Sequence, residues 1–334
     1  MRPILVVSDL THASDEAVRA AGRLAAASGA ALHVTHCAGL MGLPLREALP
    51  LLEAGPAARL ADGLAAQVRR AVPADVEAAA HVEYRGVREG TLHAADALDA
   101  ALVVVGTDAC GGAALPALAA AAAMPVLVVR DAAPPPFRRV LVPLDAPDVG
   151  LGTLRLACEW LRPFERGGAC VLPEMHVLHV SRRLADWRGI GGAFEAEVRA
   201  VEEDVRRMGG VFHRHVRWAG AAWPAISAAA RELDADLVVL RPRRGLPAHG
   251  RTWNAVVEHA RTNVLLLPGI PAPLRGTGPV EPANAVDAVD SADAAGSAHP
   301  ADSVDAARSG RQGAGRDAVG APMGTEVELE PVPA

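Results

Sequence analysis

The sequence predicts an α/β protein: two consecutive domains with open parallel sheets, followed by a disordered tail. Three observations predict it. Ile4-Leu5-Val6-Val7-Ser8-Asp9 returns about 136 residues later as Val140-Leu141-Val142-Pro143-Leu144-Asp145, and Ala101–Gly106 and Pro125–Val129 return as Asp236–Arg241 and Asn263–Leu267. Short, continuous apolar runs alternate with stretches of helical periodicity, as βαβ units require. From about residue 270 the text becomes Ala, Asp, Gly, Pro, Ser and Val without period. The repeat is far longer than a solenoid unit, so each copy is a whole domain.

The elements follow in order. Ile4–Val7 is uniformly apolar, as a strand buried on both faces must be. Thr11 or Ser14 caps the next helix, with Asp15 and Glu16 in its first turn and Gly29 as its stop. Leu32–His36 is the second strand. Residues 43–72 have helical spacing broken at Pro56. A third strand at Val76–Tyr84, a helix at Glu89–Leu98, a strand at Leu102–Val105, a helix at Leu115–Ala123 and a strand at Val126–Val129 complete residues 1–131. Residues 132–138, with three prolines, form a short stiff linker. Residues 139–269 repeat the order, with an insertion at Pro163–Pro173. Residues 270–334 cannot bury enough apolar surface to offset ordering entropy and are expected to be disordered.

Composition narrows the partners. The chain has 334 residues, 51% hydrophobic and only 3% aromatic, so recognition by aromatic stacking is not its mode. All 33 basic residues are arginine. Residues 275–334 hold four arginines and ten acids, which accounts for the whole net charge of −6. A neutral folded part argues against nucleic-acid binding, which needs a basic field. Cys37, Cys110, Cys158 and Cys170 form no CxxC pair and read as reduced thiols of a cytoplasmic protein. The first apolar run stops at Ser8-Asp9, unlike a signal peptide. The longest uncharged apolar stretch, Ala113–Val129, contains two prolines and is short for a membrane span, so no membrane partner is expected.

In open parallel sheets, ligands bind outside the carboxyl ends of the strands, where strand order reverses. That directs attention to Asp9 with the loop after Gly106, and to Asp145 with the loop after Arg241. An acid ending the first strand either accepts hydrogen bonds from a ribose or adenine, or caps the next helix.

These residues resemble the universal stress protein family, of the adenine-nucleotide α-hydrolase-like superfamily, over roughly residues 3–268. The likeness rests on the strands ending in Asp9 and Asp145, on His33-Val34-Thr35-His36-Cys37 echoed by His176–Val180, on Gly86 and Gly220 after the third strand, and on the Leu-Val-Val strand leading to a final Pro-Val-Leu-Val-Val. The resemblance implies two Rossmann-like domains with sheet order 3-2-1-4-5, paired through their fifth strands as an intramolecular pseudo-dimer. It leaves room for homodimers and protein partners.

Nucleotide-binding members of that family carry a loop G-x2-G-x9-G-[S/T] after strand four, whose backbone N–H groups and hydroxyl hold phosphates. Both copies depart from it. In domain one, Gly106 matches the first glycine and Gly112, beside Gly111, the third. Ala109 stands near the second, Ala113 replaces the hydroxyl residue, and five residues separate Gly106 from Gly112 where the pattern has twelve. Domain one is therefore not expected to bind ATP in the family manner. In domain two, Arg241, Arg243, Arg244, Gly245, Gly250, Arg251 and Thr252, with Asp145, gather four guanidinium groups at a helix N-terminus. That set suits ATP or another phosphate ligand; its other reading is a solvated basic loop.

No metal site is expected. His33/His36 and His176/His179 lie three apart on strands and point to opposite faces, while His213 and His215 share a face with Arg217 and read as solvated. Asp96/Asp99 and Asp234/Asp236 read as boundary residues, and Trp218 and Trp223 as core or a pocket floor. With no nucleophile–base pair in view, the expected role is non-catalytic and regulatory in the stress response. The alternatives are a phosphate-responsive switch in domain two, a slow ATPase, and a tail that captures partners.

Overall fold

The computed structural model describes residues 2–39, 54–107, 111–130, 135–144, 147–161, 173–181, 192–207, 209–242, 247–269 and 326–327. The first half runs β1 (Ile4–Val7), α1 (His12–Ser28), β2 (Leu32–Cys37), α2 (Ala54–Ala71), β3 (Ala78–Glu83), α3 (Val87–Ala97), β4 (Leu102–Gly106), α4 (Gly111–Ala121) and β5 (Val126–Val129). The second runs β6 (Arg139–Leu144), α5 (Pro147–Leu161), β7 (Glu174–Ser181), α6 (Gly192–Arg207), β8 (Phe212–Trp218), α7 (Ala222–Glu232), β9 (Leu237–Leu240), α8 (Pro247–His259) and β10 (Asn263–Leu266). A two-residue strand, β11 (Glu326–Val327), lies antiparallel on β3. Apart from those two residues, the tail expected to be disordered lies outside the described residues, as do the insertion core at 163–172 and residues 43–53.

Each half has the order 3-2-1-4-5, parallel throughout. The two join into one sheet, β11-β3-β2-β1-β4-β5-β10-β9-β6-β7-β8. The junction is antiparallel, with Val128 opposite Val264, Leu127 opposite Leu265 and Val126 opposite Leu266. A fifth strand left alone would expose a row of unpaired N–H and C=O groups; here each fifth strand covers the other.

The uninterrupted apolar strands are explained by two cores. Ile4, Val6, Val140 and Val142 face one core with α1, α2, α5 and α6, where Leu24, Leu64, Leu154 and Val201 are buried. Leu5, Val7 and Val103 face the other, with Leu118 of α4, Ile226 of α7 and Val256 of α8. Both faces of the strand are dry, so alternation gives way to a continuous run.

Local signals set the ends of α1. Thr11 caps it, its hydroxyl accepting the Ser14 N–H, and Gly29 ends it at φ +69, where the cap N–H reaches the Ala25 carbonyl. Pro56 falls in the first turn of α2, a position whose N–H has no partner inside the helix. It starts the helix rather than breaking it.

Candidate functional site

The carboxyl ends of β1 and β4 meet the first turn of α1. The Asp9 carboxylate accepts the Thr11 backbone N–H at 3.0 Å, the Thr11 hydroxyl at 2.6 Å and the Ser14 hydroxyl. Partial burial pushes this acid upward, but the hydrogen bonds from Ser14 and Thr11 outweigh it and hold Asp9 below its ordinary value of 3.8. Ser8, buried beside it, donates to Gln67 Oε1 at 2.6 Å, and Gln67 donates to Asp15 at 2.6 Å. Asp9 Oδ1 and the Ser8 hydroxyl are thus engaged by the turn and by α2, and the Ser8 backbone by Thr35 and His36 of β2.

Gly106 completes the closure. A Cβ on it would lie 2.9 Å from the Ala13 carbonyl oxygen. The glycine is thus needed for backbone to approach backbone, and what approaches is the N-terminus of α1. Gly111 and Gly112 form the first turn of α4. The intervening residues 108–110, Ala109 included, lie outside the described residues.

In domain two, Arg241 follows β9 at the place Gly106 holds in domain one. Its Nε donates to the Pro268 carbonyl at 3.0 Å, and its guanidinium lies over α5, where a Cβ on Gly152 would meet it at 2.7 Å. Burial draws its pKa below the usual arginine value. Among the described residues Arg241 has no acidic partner. Gly250 and Arg251 lie in α8, and Thr252 is half-buried there. Asp145, Arg243, Arg244 and Gly245, four of the expected eight, lie outside the described residues.

The other acids behave as boundary groups. Asp99 and Asp234, both with positive φ, pair with Arg2 at 2.6 Å and Arg139 at 2.9 Å, one pair in each half. Asp236 accepts the backbone N–H groups of Arg138 and Arg139 at 2.6 and 3.0 Å. Trp223 lines a groove of about 650 Å³ between α7 and α8, edge-on to His259. That groove extends to Asp234 and Asp236 at the amino ends of the strands, away from Arg241.

One cluster was not visible along the sequence. His176 on β7 lies opposite His213 on β8, with Glu174 two residues before His176 on the same face. His176 and His179 do take opposite faces, but the neighbour that matters is on another strand, 37 positions away in sequence. Only the register of β7 against β8 discloses it.

With the geometry described, comparison with known proteins gives the lineage. The profile of the universal stress protein family matches residues 1–130 and again residues 136–268. The chain belongs to the universal stress protein family. Among solved structures it is similar to a universal stress protein from Archaeoglobus fulgidus DSM 4304, at TM-score 0.57 and 17% identity, over 80% of this chain and 96% of that one. It is also similar to a functionally unknown protein from Pseudomonas aeruginosa PAO1, at TM-score 0.54 and 18% identity, over 80% and 92%. At these identities the likeness concerns the fold. No curated protein sequence matches the chain. Among the described residues of this universal stress protein, no helix is long and apolar enough to cross a membrane.

Proposed function

We propose that this universal stress protein is a non-catalytic regulatory or scaffolding protein of the stress response, whose first domain serves its partner domain rather than a nucleotide. The observation that carries the reading is the β1–α1 turn. Asp9 is occupied by Thr11 and Ser14, and the space beside Gly106 is taken by the Ala13 carbonyl. A ribose hydroxyl reaching Asp9 Oδ1 would have to displace three local donors. The shortened loop after Gly106 has Ala113 where the family pattern places its hydroxyl residue, and it carries no cation for phosphate.

A second reading concerns domain two, and Arg241 favours it. A partly buried guanidinium without an acidic partner among the described residues favours an anion, since its desolvation cost falls when a phosphate binds. In that reading ATP or another phosphate ligand occupies the arginine-bearing end of β9 and biases partner binding.

Calorimetric titration of Mg·ATP into the full chain, wild type and Arg241→Ala, tests both readings. At most one site per chain is expected, and any heat must vanish with Arg241→Ala. Binding at two sites per chain, or steady ATP turnover, contradicts the proposal.

A further inference from the structure

At the amino end of the β7–β8 pair, Glu174 Oε1 lies 2.9 Å from His213 Nε2 and 3.5 Å from His176 Nε2. All three candidate ligand atoms lie within 4.8 Å of one another. We propose that Glu174, His176 and His213 form a binding site for a divalent transition-metal ion of the zinc class, with His215 as the outer partner that orients His176.

Burial supplies the first argument. His176 is only 5% exposed, yet its Nε2 has no hydrogen bond of good geometry, and neither has that of His213. A buried imidazole nitrogen left in this state costs free energy that a bond to a metal would recover. The other nitrogen is provided for: His176 Nδ1 lies 3.0 Å from His215 Nε2. Metal on Nε2 leaves the proton on Nδ1, which then donates to His215, the arrangement that orients most metal-bound histidines.

Geometry and ligand type agree. Bonds of about 2.0–2.1 Å in a tetrahedron put neighbouring ligand atoms about 3.4 Å apart, and the two contacts of Glu174 Oε1 straddle that value. The His176 and His213 rings are stacked at 4.8 Å, so a shared ion requires His213 to turn out of the stack. Its side chain is 43% exposed and Glu174 is 38% exposed, which permits the turn and gives an ion access. Two imidazoles and a carboxylate suit zinc and its neighbours, and a fourth position is left for water.

The second domain's own twin is the control. In domain one His33 Nδ1 lies 2.9 Å from His81 Nε2, reproducing the His176–His215 contact. The positions of Glu174 and His213 are there Ala31 and Ala79; in register, His33 faces Ala79 as His176 faces His213. The histidine–histidine contact therefore belongs to the fold of both halves. The carboxylate and the third imidazole occur only in domain two, and they meet at one point.

The test uses the full chain, stripped with a chelator and titrated with Zn(II) alone by calorimetry and with Co(II) alone by visible absorption. His213→Ala and Glu174→Gln alter exposed side chains, and their metal-free melting temperatures should match wild type. The proposal expects a site of one ion per chain whose affinity falls at least tenfold in each variant, while His33→Ala leaves it unchanged. Metal uptake that is absent, that persists in both domain-two variants, or that falls equally with His33→Ala overturns it.

Discussion

Asn263 Oδ1 accepts the Arg130 backbone N–H at 3.0 Å, so the first residue of β10 is bonded to the residue that follows β5. The same amide donates from Nδ2 to the Asp236 carbonyl at 3.0 Å. Asp236 in turn receives the N–H groups of Arg138 and Arg139, where the second domain begins. One buried side chain thus ties the end of domain one to the start of domain two, alongside the β5–β10 ladder.

Asn263→Leu keeps the branched skeleton and removes these two bonds, leaving the Arg130 N–H and the Asp236 C=O without their amide partner. Each such group costs about 1–3 kcal/mol. Urea unfolding of the full chain should show a loss of about 2–6 kcal/mol on that basis, and an unchanged midpoint would show that the amide does not join the halves.

Gly106 and Gly86 should respond oppositely to alanine. At Gly106 the new methyl would stand 2.9 Å from the Ala13 carbonyl oxygen, and backbone must move. Overpacking of that kind costs about 1–3 kcal/mol. At Gly86, φ is −60 and nothing lies within 4 Å, so alanine is tolerated to within about 1 kcal/mol. Equal melting temperatures for the two variants would refute the close approach at the end of β4.

The hydrogen bonds of Asp9 have a pH signature. Its folded pKa is depressed below 3.8, so its contribution is present above that value and is lost as pH falls through the lower, folded one. Wild type should exceed Asp9→Ala in stability at pH 6 and approach it as pH drops below about 4. Thermal melts across that range check it; a gap independent of pH would mean the carboxylate is idle.

Cys37 should be inert in the native protein. Burial pushes its thiol up to about 11, with Glu83 adding to the rise and the Thr91 hydroxyl opposing it. At pH 8 about one molecule in a thousand carries the thiolate. Alkylation followed by peptide mass analysis should leave Cys37 unmodified until the chain is unfolded. Rapid native labelling would contradict this burial.

The sequence made the central strands legible because they are buried on both faces: Ile4–Val7 and Leu237–Leu240 are apolar at every position. The caps of α1 were legible because Thr11 and Gly29 act through local chemistry. Two things were hidden for a shared reason. The meeting of His176 with His213 depends on strand register, and the engagement of Asp9 by Ser14 and Thr11 depends on how the turn closes. Both are decided by three-dimensional placement, whereas a motif such as a glycine loop is counted along the chain.

The most direct test of the central claim is hydrogen exchange of the β1–α1 turn, residues 8–14, in the full chain with and without saturating Mg·ATP. Exchange there should be unchanged by nucleotide, because Asp9 and the Ala13 carbonyl already close the site. Protection of that turn on adding Mg·ATP would show a nucleotide seated in domain one and contradict the account.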